Sequence, residues 1–443
     1  MSKLQDKLSY LEKNSDKAKI DKAKIKDRWE NIDSQTGLTT REKLEKLVKN
    51  SLKRVEKTSD DLPIIQTKKN IAENDMGGFS CREFTYPLNR VYGKMPLAEW
   101  YNVAPNRLAI IAGEDIFRGI SPMKLLFFDT ETTGLSGGTG TIPFMLGFGF
   151  FQDEDFRVKI FILNDLDKEA KFLEAVDLFL QEYGFSAVVT YNGKSFDYPL
   201  METRYILQRK RFPLLKLPHL DFLFPARSLW KNTYPSCKLS QLGDFLLGLS
   251  RDEDIDPGQI PGMYFNYLRT RSFRLIQGIV EHNALDLLGL NGLLLLAVKY
   301  VEDISFTADE GEILGIARLY DRYGDIDKAD ELYRVLGQSA LRTDVMAKAV
   351  KCLAIILKKK KLYAEAAELW GVLSNSSAHH HLALRELSVH LEHREKDYIK
   401  ALASVHQGLA IKNLSDSQRK DFEKRYKRLT QKIKIFEKED EKS

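Results

Sequence analysis

A chain of 443 residues exceeds the size of one ordinary domain, so its length predicts two or three domains. Hydrophobic residues make up 43% of the chain and charged residues 30%, a balance that excludes an intrinsically disordered protein. The net charge of +5 is mild for this length, so it permits a nucleic-acid partner without requiring one.

Three features bear on where the protein works. The first residues are rich in lysine and aspartate and lack the apolar segment of a signal peptide. The three cysteines are odd in number and widely spaced, which argues against a disulfide framework. The longest apolar run, residues 287–298, is shorter than the roughly 20 residues that a bilayer requires, so we expect a core helix and no membrane partner. Together these features predict a cytoplasmic protein.

Residues 1–75 predict a charged, partly helical N-terminal arm. Mixed charge is dense in this segment, and a single amphipathic stretch around Leu44 and Leu52 could form a helix. The lysines of the arm could contact phosphates or simply face solvent, and the sequence leaves both possibilities open.

Residues 76–300 predict an α/β domain. The β-prone runs LLFFDT, IPFMLGFGFF and FRVKIFIL are separated by short turns and predict a meander. An amphipathic helix follows, and then the β-rich run SAVVTYNG, a helix over about residues 195–209, a short strand in LPHLDFL and a helix over about residues 273–298. Strands followed by alternation with helices predict a mixed sheet flanked by helices.

Residues 308–437 predict an all-α domain of repeats. Three segments align in one register on Ala329, Ala366 and Ala401, at spacings near the roughly 34-residue tetratricopeptide period. Each segment has an aromatic or aliphatic residue four positions later, and a final amphipathic helix would cap the array. An unrelated helical bundle is the alternative.

Two acidic residues end the first strand of the meander. Asp129 and Glu131 are two residues apart, so the alternation of a strand places both side chains on one face. Like charges this close raise each other's pKa unless a cation lies between them. Mg²⁺ and Mn²⁺ prefer such oxygen ligands, so the pair predicts a metal site, with an ordinary strand-end loop as the alternative.

Two further segments carry candidate site residues. In VVTYNGKSFDYPL, Asp197 begins a helix, where it either caps the helix or binds a metal ion. In VEHNALDLLGL, His282 and Asp286 are four residues apart and share one helix face among leucines. Two divalent ions about 4 Å apart could bind the four carboxylates, one ion generating hydroxide and the other stabilising the leaving oxygen of a phosphodiester.

The segments FDTETTG, YNGKSFD and HNALD resemble, in this order, the three motifs of the DEDD exonuclease superfamily. The chain more closely resembles the YprB-type ribonuclease H-like domain, which has counterparts of YNGKSFDYPLMETRY, LWKNTYPSCKLSQL and IPGMYFNYLRT, over about residues 95–300. This resemblance implies a five-stranded mixed sheet with helices, two metal ions, and hydrolysis of nucleic acid from a 3′ end. It also implies a tetratricopeptide-like C-terminal region.

The resemblance assigns roles to residues by position. The implied metal ligands are Asp129, Glu131, Asp197 and Asp286. The implied contacts to the terminal nucleotide are Thr132, Leu135, Asn192 and Phe196. Asn192 could instead hold its turn and Phe196 could be a core residue, while Asp221 resembles a structural position.

The general base is the point at which the sequence departs from the superfamily. The base is expected to be a tyrosine four residues before the last acid or a histidine five residues before it. Here His282 stands at the four-residue spacing and Glu281 at the five-residue spacing. An imidazole is suited to taking a proton from water, so His282 is the candidate base. The sequence leaves open whether His282 lies close enough to the nucleophile.

Three functions are compatible with these observations. The first is a metal-dependent 3′–5′ exonuclease that acts on DNA or RNA with a single-stranded 3′ end, whose helical repeats recruit a protein partner or guide the substrate. The second is a non-catalytic nucleic-acid-binding or scaffold protein acting through its helical repeats, which the displaced histidine favours. The third keeps the two-metal chemistry and makes it endonucleolytic.

Overall fold

The computed structural model describes residues 74–75, 77–104, 106–134, 140–249, 255–375 and 379–440. These residues form two compact units, one that ends at Asp325 and one that begins at Ile326. The first unit is α/β and the second is all-α, as the sequence predicts. The predicted N-terminal arm over residues 1–75 lies almost entirely outside the described residues, and the predicted domain limits at 300 and 308 fall before the division between the units.

The first unit is built on one large sheet. Its strands are β1 (Asn74–Asp75), β2 (Phe79–Pro87), β3 (Val91–Tyr92), β4 (Met95–Pro96), β5 (Leu125–Thr132), β6 (Pro143–Gln152), β7 (Asp155–Leu163), β8 (Ala187–Thr190) and β9 (His219–Asp221). Its α-helices are α1 (Arg107–Ala112), α2 (Glu169–Tyr183), α3 (Asp197–Leu207), α4 (Leu223–Trp230), α5 (Leu239–Leu242), α6 (Ile260–Thr270), α7 (Arg274–Glu302) and α8 (Glu310–Tyr323). A π-helical turn, Gly243–Leu247, follows α5.

The sheet is mixed and its strand order is β1-β2-β7-β6-β5-β8-β9, with β3 and β4 forming a separate small hairpin. Neighbours from β2 to β5 are antiparallel, whereas β8 runs parallel to β5 and β9 runs parallel to β8. The five strands predicted from sequence are β5 to β9, and all of them are present. The ribonuclease H-like mixed sheet is therefore confirmed.

The predicted number of five strands is wrong, because β2 and the short β1 extend the sheet. β2 pairs with β7 along its whole length, from Phe79 opposite Leu163 to Pro87 opposite Asp155. An uncovered edge of β7 would expose a row of backbone N–H and C=O groups, and β2 satisfies them. The run FSCREFTYP mixes charged and aromatic residues, so its strand conformation depends on this pairing more than on its own pattern.

The two faces of the sheet are covered differently. On one face, Phe128 stacks on Phe148 with 5.1 Å between ring centroids, and Phe148 lies 5.3 Å from Phe179 of α2. On the other face, α7 packs across β5, β6 and β7. Gly147 of β6 allows this approach, because a Cβ atom there would lie 1.9 Å from Oδ1 of Asn283 in α7.

Among the described helices, α7 is long and apolar enough to cross a membrane by length and composition alone, with a mean hydropathy of 1.6 in its most apolar window. However, 83% of that window is buried inside the protein. Its leucines pack against the sheet and against neighbouring helices. The expectation of a core helix over residues 287–298 is confirmed.

The second unit contains only helices in its described residues. These are α9 (Ile326–Ser339), α10 (Thr343–Lys359), α11 (Tyr363–Leu373), α12 (His380–His390), α13 (Tyr398–Leu409) and α14 (Asp416–Asp440), with a π-helical turn, Leu391–Glu395, after α12. Each helix packs against the next along the chain. The aligned residues Ala329, Ala366 and Ala401 are all buried, as are Tyr333, Trp370 and Val405. The all-α prediction is confirmed, and assignment to the tetratricopeptide class stays a prediction.

A buried carboxylate fastens the last helix. Glu392 lies in the π-helical turn and accepts hydrogen bonds from Arg428 at 2.8 and 2.5 Å and from Lys432 at 2.9 Å. Burial acts to raise the pKa of Glu392, but these two cations outweigh burial and lower its pKa to about 2. Phe422 and Leu429 complete the contact through buried apolar side chains.

Candidate active site

The candidate site lies at the carboxyl ends of the parallel strands β5 and β8. The two strands pair from Leu125 opposite Ala187 to Phe127 opposite Val189, and β5 then continues to Thr132 beyond its last pairing with β8. In open α/β sheets, ligands bind in the crevice outside such strand ends. The first motif therefore occupies a place where the sheet leaves room for a substrate.

Asp129 and Glu131 project from the face of β5 that α7 covers. In the sheet register, Asp129 is opposite Gly147 and Glu131 is opposite Met145. Burial raises the pKa of Asp129 well above its usual value, and the negative charges of the carboxylates at positions 197, 286 and 131 raise it further. Carboxylates from the three motifs thus lie close enough to repel one another, as the order of the motifs predicts.

Asp197 reaches the same crevice from the first turn of α3. It is 8% exposed and accepts a hydrogen bond from the hydroxyl of Thr130, which lies next to Asp129 in β5. Burial raises the pKa of Asp197 to about 6, against the opposing effect of the Thr130 hydrogen bond. A buried carboxylate whose pKa is raised in the absence of a cation gains from binding one, because the cation stabilises its charged form.

The turn after β8 aims the second motif into the crevice. Asn192 has a left-handed backbone with φ of 71°, and a Cβ atom on Gly193 would lie 2.5 Å from the hydroxyl of Thr190. The carboxylate of Asp221 at the end of β9 accepts the backbone N–H of Asn192 at 2.7 Å and that of Lys194 at 3.1 Å. Asp221 therefore holds this turn, in line with the structural position expected from sequence.

The third motif places a histidine and a carboxylate in contact on α7. The Nε2 atom of His282 lies 3.1 Å from an oxygen of Asp286, and their side chains are 15% and 14% exposed. Glu281, the residue at the alternative spacing for a base, is exposed and accepts a hydrogen bond from Gln277 at 2.9 Å. Of the two candidate bases, His282 is the one whose side chain contacts a candidate metal ligand, Asp286.

Asn283 is a site residue that sequence reasoning missed. It is fully buried, and its Nδ2 atom donates a hydrogen bond to Asp129 at 2.7 Å. The motif HNALD contains this residue, but its contact depends on how closely α7 approaches the sheet. A polar residue on the apolar side of a predicted core helix was the available signal.

The residues predicted to contact the nucleotide differ in exposure and in their hydrogen bonds. Phe196 is 59% exposed next to Asp197, so it is not a core residue. The hydroxyl of Thr132 donates to the backbone oxygen of Gly134 at 2.7 Å, and Asn192 occupies the turn described above. Leu135 lies outside the described residues.

The donor set of the site fits hard divalent cations. Within the described ranges, no three His, Cys, Asp or Glu side chains form a ready-made metal cluster. Three of the candidate ligands instead each contact a protein side chain: Asn283 with Asp129, Thr130 with Asp197, and His282 with Asp286. A carboxylate has about four lone-pair positions, so one such contact leaves the others for an ion. Clustered carboxylates with raised pKa values, as at Asp129, are the oxygen ligands that Mg²⁺ and Mn²⁺ prefer.

The fold and the acidic crevice define a ribonuclease H-like protein. A family model of the RNase_H superfamily matches residues 126–297. The chain is also 32% identical over 338 residues to the uncharacterized protein YprB of Bacillus subtilis strain 168, a match that covers 74% of this chain and 80% of YprB. The chain therefore belongs to the RNase H superfamily, in the same family as YprB. Membership of this superfamily indicates a nuclease that acts on nucleic acid.

Proposed function

We propose that this protein is a metal-dependent 3′–5′ exonuclease that acts on a single-stranded 3′ end of DNA or RNA. The observation that carries the proposal is that carboxylates from all three motifs lie near Asp129, where their charges and burial raise its pKa. Such crowding of like charge destabilises the fold unless it serves to bind cations. We further propose a cytoplasmic location, in keeping with three free cysteines.

Four carboxylates would hold two Mg²⁺ or Mn²⁺ ions: Asp129, Glu131, Asp197 and Asp286. Bound ions supply a hydroxide nucleophile near neutral pH and charge stabilisation for the leaving oxygen. The chain itself orients these ligands, through the Asp221-held turn for the second motif and through α7 for the third.

His282 is the candidate general base in this proposal. Its Nε2 atom contacts Asp286, so in the neutral ring that donates from Nε2 the other nitrogen, Nδ1, is the atom that would accept a proton from water. Substrate contacts would come from Thr132, Leu135, Asn192 and Phe196. The exposed ring of Phe196 offers a surface for stacking a terminal base, an interaction that is tolerant of base identity.

Cleavage of end-labelled single strands with Mg²⁺ or Mn²⁺ tests this function. We expect stepwise shortening from the 3′ end and no cleavage by an Asp129→Asn variant. Absence of cleavage by the wild-type protein on every substrate, or equal cleavage by the variant, would reject the proposal. Opening of a circular strand would instead support the endonuclease alternative.

The second candidate function is nucleic-acid binding through the helical unit, whose repeats would guide a substrate or recruit a protein partner. Basic residues outnumber acidic ones in residues 326–440. On the outer face of α14, exposed lysines recur at helical spacing, and none forms an ion pair with another described residue: Lys420, Lys424, Lys427 and Lys434. In contrast, Arg428 and Lys432 on the inner side bind Glu392.

Binding of a labelled single strand at several salt concentrations tests this candidate. Each phosphate contact contributes roughly 0.7 to the slope of log affinity against log salt for single strands. We expect the double variant Lys424→Ala with Lys427→Ala, which removes two such contacts, to lower the slope by about 1.4. Lys171→Ala with Lys216→Ala, at exposed positions of the α/β unit, is the control, and an equal loss in both variants would reject a specific role for α14.

A further inference from the structure

Asn283 is a buried polar residue in an otherwise apolar part of α7. Its neighbours in sequence on the buried side of the helix include Ala284 and Leu287, both buried. Its Nδ2 atom donates to Oδ2 of Asp129 at 2.7 Å, whereas its Oδ1 atom has no hydrogen-bond partner among the described residues. A buried acceptor without a partner costs about 1 to 3 kcal/mol, so packing alone does not explain an amide at this position.

The contact between Asn283 and Asp129 depends on a glycine in a different strand. Gly147 of β6 is directly opposite Asp129 in the sheet. A Cβ atom on Gly147 would lie 1.9 Å from Oδ1 of Asn283 and 2.9 Å from Cδ1 of Leu287, distances that real side chains do not adopt. Any larger residue would move α7 away from the sheet, and the amide would move away from the carboxylate with it.

We infer that Asn283 is a positioning residue, which holds the carboxylate of Asp129 so that its remaining lone pairs face a divalent cation. An amide donor on one oxygen selects one rotation of the carboxylate and leaves the other oxygen available. Hydrogen bonds to a metal ligand act in this way, and their removal typically lowers metal affinity or activity by about 10- to 100-fold. The inference rests on the proposed metal-dependent function.

The same helix contains a matched control. Asn291 is also fully buried in α7, two turns after Asn283, and it accepts a hydrogen bond from Nε1 of Trp100. Its Nδ2 atom has no partner among the described residues, so the two asparagines resemble each other in burial and in partial hydrogen bonding. They differ in that Asn291 contacts an indole and Asn283 contacts a carboxylate of the site.

The test is a calorimetric titration of the metal-free full-length protein with Mn²⁺, together with thermal unfolding. We expect the wild type to take up Mn²⁺ and Asn283→Ala to bind it about 10- to 100-fold more weakly. Asn291→Ala should lower the unfolding temperature but keep the wild-type affinity. Asn283→Ser, which leaves a smaller cavity, replaces Asn283→Ala if that variant does not fold, and the same loss of affinity is expected.

The outcomes separate this inference from the proposed function. Failure of the wild type to take up Mn²⁺ would overturn the metal-dependent function itself. Uptake by the wild type with unchanged affinity in the position-283 variants would overturn only the positioning role of Asn283. An equal loss of affinity in the position-283 and position-291 variants would also overturn it, because general weakening of α7 would then explain both.

Discussion

The two units each bury carboxylate groups, with opposite consequences. In the α/β unit, burial and the charges of other carboxylates raise the pKa of Asp129. In the helical unit, Arg428 and Lys432 surround Glu392 and lower its pKa to about 2 despite burial. In the first arrangement the charges that act on Asp129 are those of other carboxylates, which indicates a place for cations from outside the chain. In the second arrangement, cations of the chain itself balance the charge of Glu392, and the contact holds helices together.

The comparison shows that burial of an acid does not identify a functional site, because the sign of the charges around it decides. Glu392 is 2% exposed, yet its two hydrogen-bonded cations are sufficient to keep it ionised. Asp197 is also buried, and its partner Thr130 is neutral.

Asp129→Asn should reduce cleavage by at least about 10³-fold, since metal ions contribute several kcal/mol of charge stabilisation to phosphodiester hydrolysis. Cleavage rates on an end-labelled strand measure the effect. Glu392→Gln, in the other unit, should keep the wild-type rate at a temperature where it remains folded. Equal losses in both variants would remove the functional distinction between the two carboxylate groups.

Glu392→Gln should destabilise the helical unit by about 2 kcal/mol. The neutral amide keeps the shape of the side chain but leaves Arg428 and Lys432 without their charged partner. These two cations are 45% and 36% exposed, so they can reach water and the loss stays below that of a fully buried pair. Urea unfolding followed by circular dichroism measures the change, and unchanged stability would contradict a structural role for Glu392.

Metal-free protein should become more stable as pH falls from 7 to 5. The folded-state pKa of Asp197 is about 6, above its unfolded value of 3.8, so the native state binds more protons between these pH values. The free energy of unfolding of the α/β unit should therefore rise by about 1.3 kcal/mol as pH falls from 7 to 5.

The Asp197→Asn variant should lose most of this rise, which thermal unfolding at several pH values would show. Glu392 provides the opposite case, because its folded pKa lies below its unfolded value. Its contribution is present above the unfolded pKa and is lost only as pH falls toward about 2. A wild-type protein whose α/β unit loses stability between pH 7 and pH 5 would contradict the account of the site acids.

Phe196→Ala should weaken binding of a single strand by about fivefold to tenfold, because base stacking on an aromatic ring contributes about 1 kcal/mol or more. Phe196 is 59% exposed beside Asp197, whereas Phe224 is 49% exposed in α4. Phe224→Ala is the control and should leave binding unchanged. Fluorescence anisotropy in Ca²⁺, used to suppress cleavage, compares the two variants.

Local patterns predicted much of this molecule. The two-residue spacing of Asp129 and Glu131 and the four-residue spacing of His282 and Asp286 depend on strand and helix periodicity, and the structure has both elements. The order of the three motifs predicted that their acids converge, and the charges of Asp197 and Asp286 act on Asp129 to raise its pKa. The roles of these residues in metal binding and catalysis stay predictions.

Features that depend on long-range contact could not be predicted. β2 is a strand because β7 presents an edge to it, and Asn283 meets Asp129 because Gly147 lets a helix approach. The π-helical turn that contains Glu392 has no periodic sequence pattern of its own. The cations that bind Glu392 lie in a later helix, α14. In each case, the deciding partner is distant in sequence.

Anomalous diffraction from crystals grown with Mn²⁺ would locate the metal ions in this crevice. We expect two Mn²⁺ peaks about 4 Å apart among the carboxylates of the three motifs, with Asp129 bound to at least one of them. Crystals in which Mn²⁺ is absent from this crevice, or in which Asp129 keeps its contact with Asn283 and touches no metal ion, would contradict this expectation.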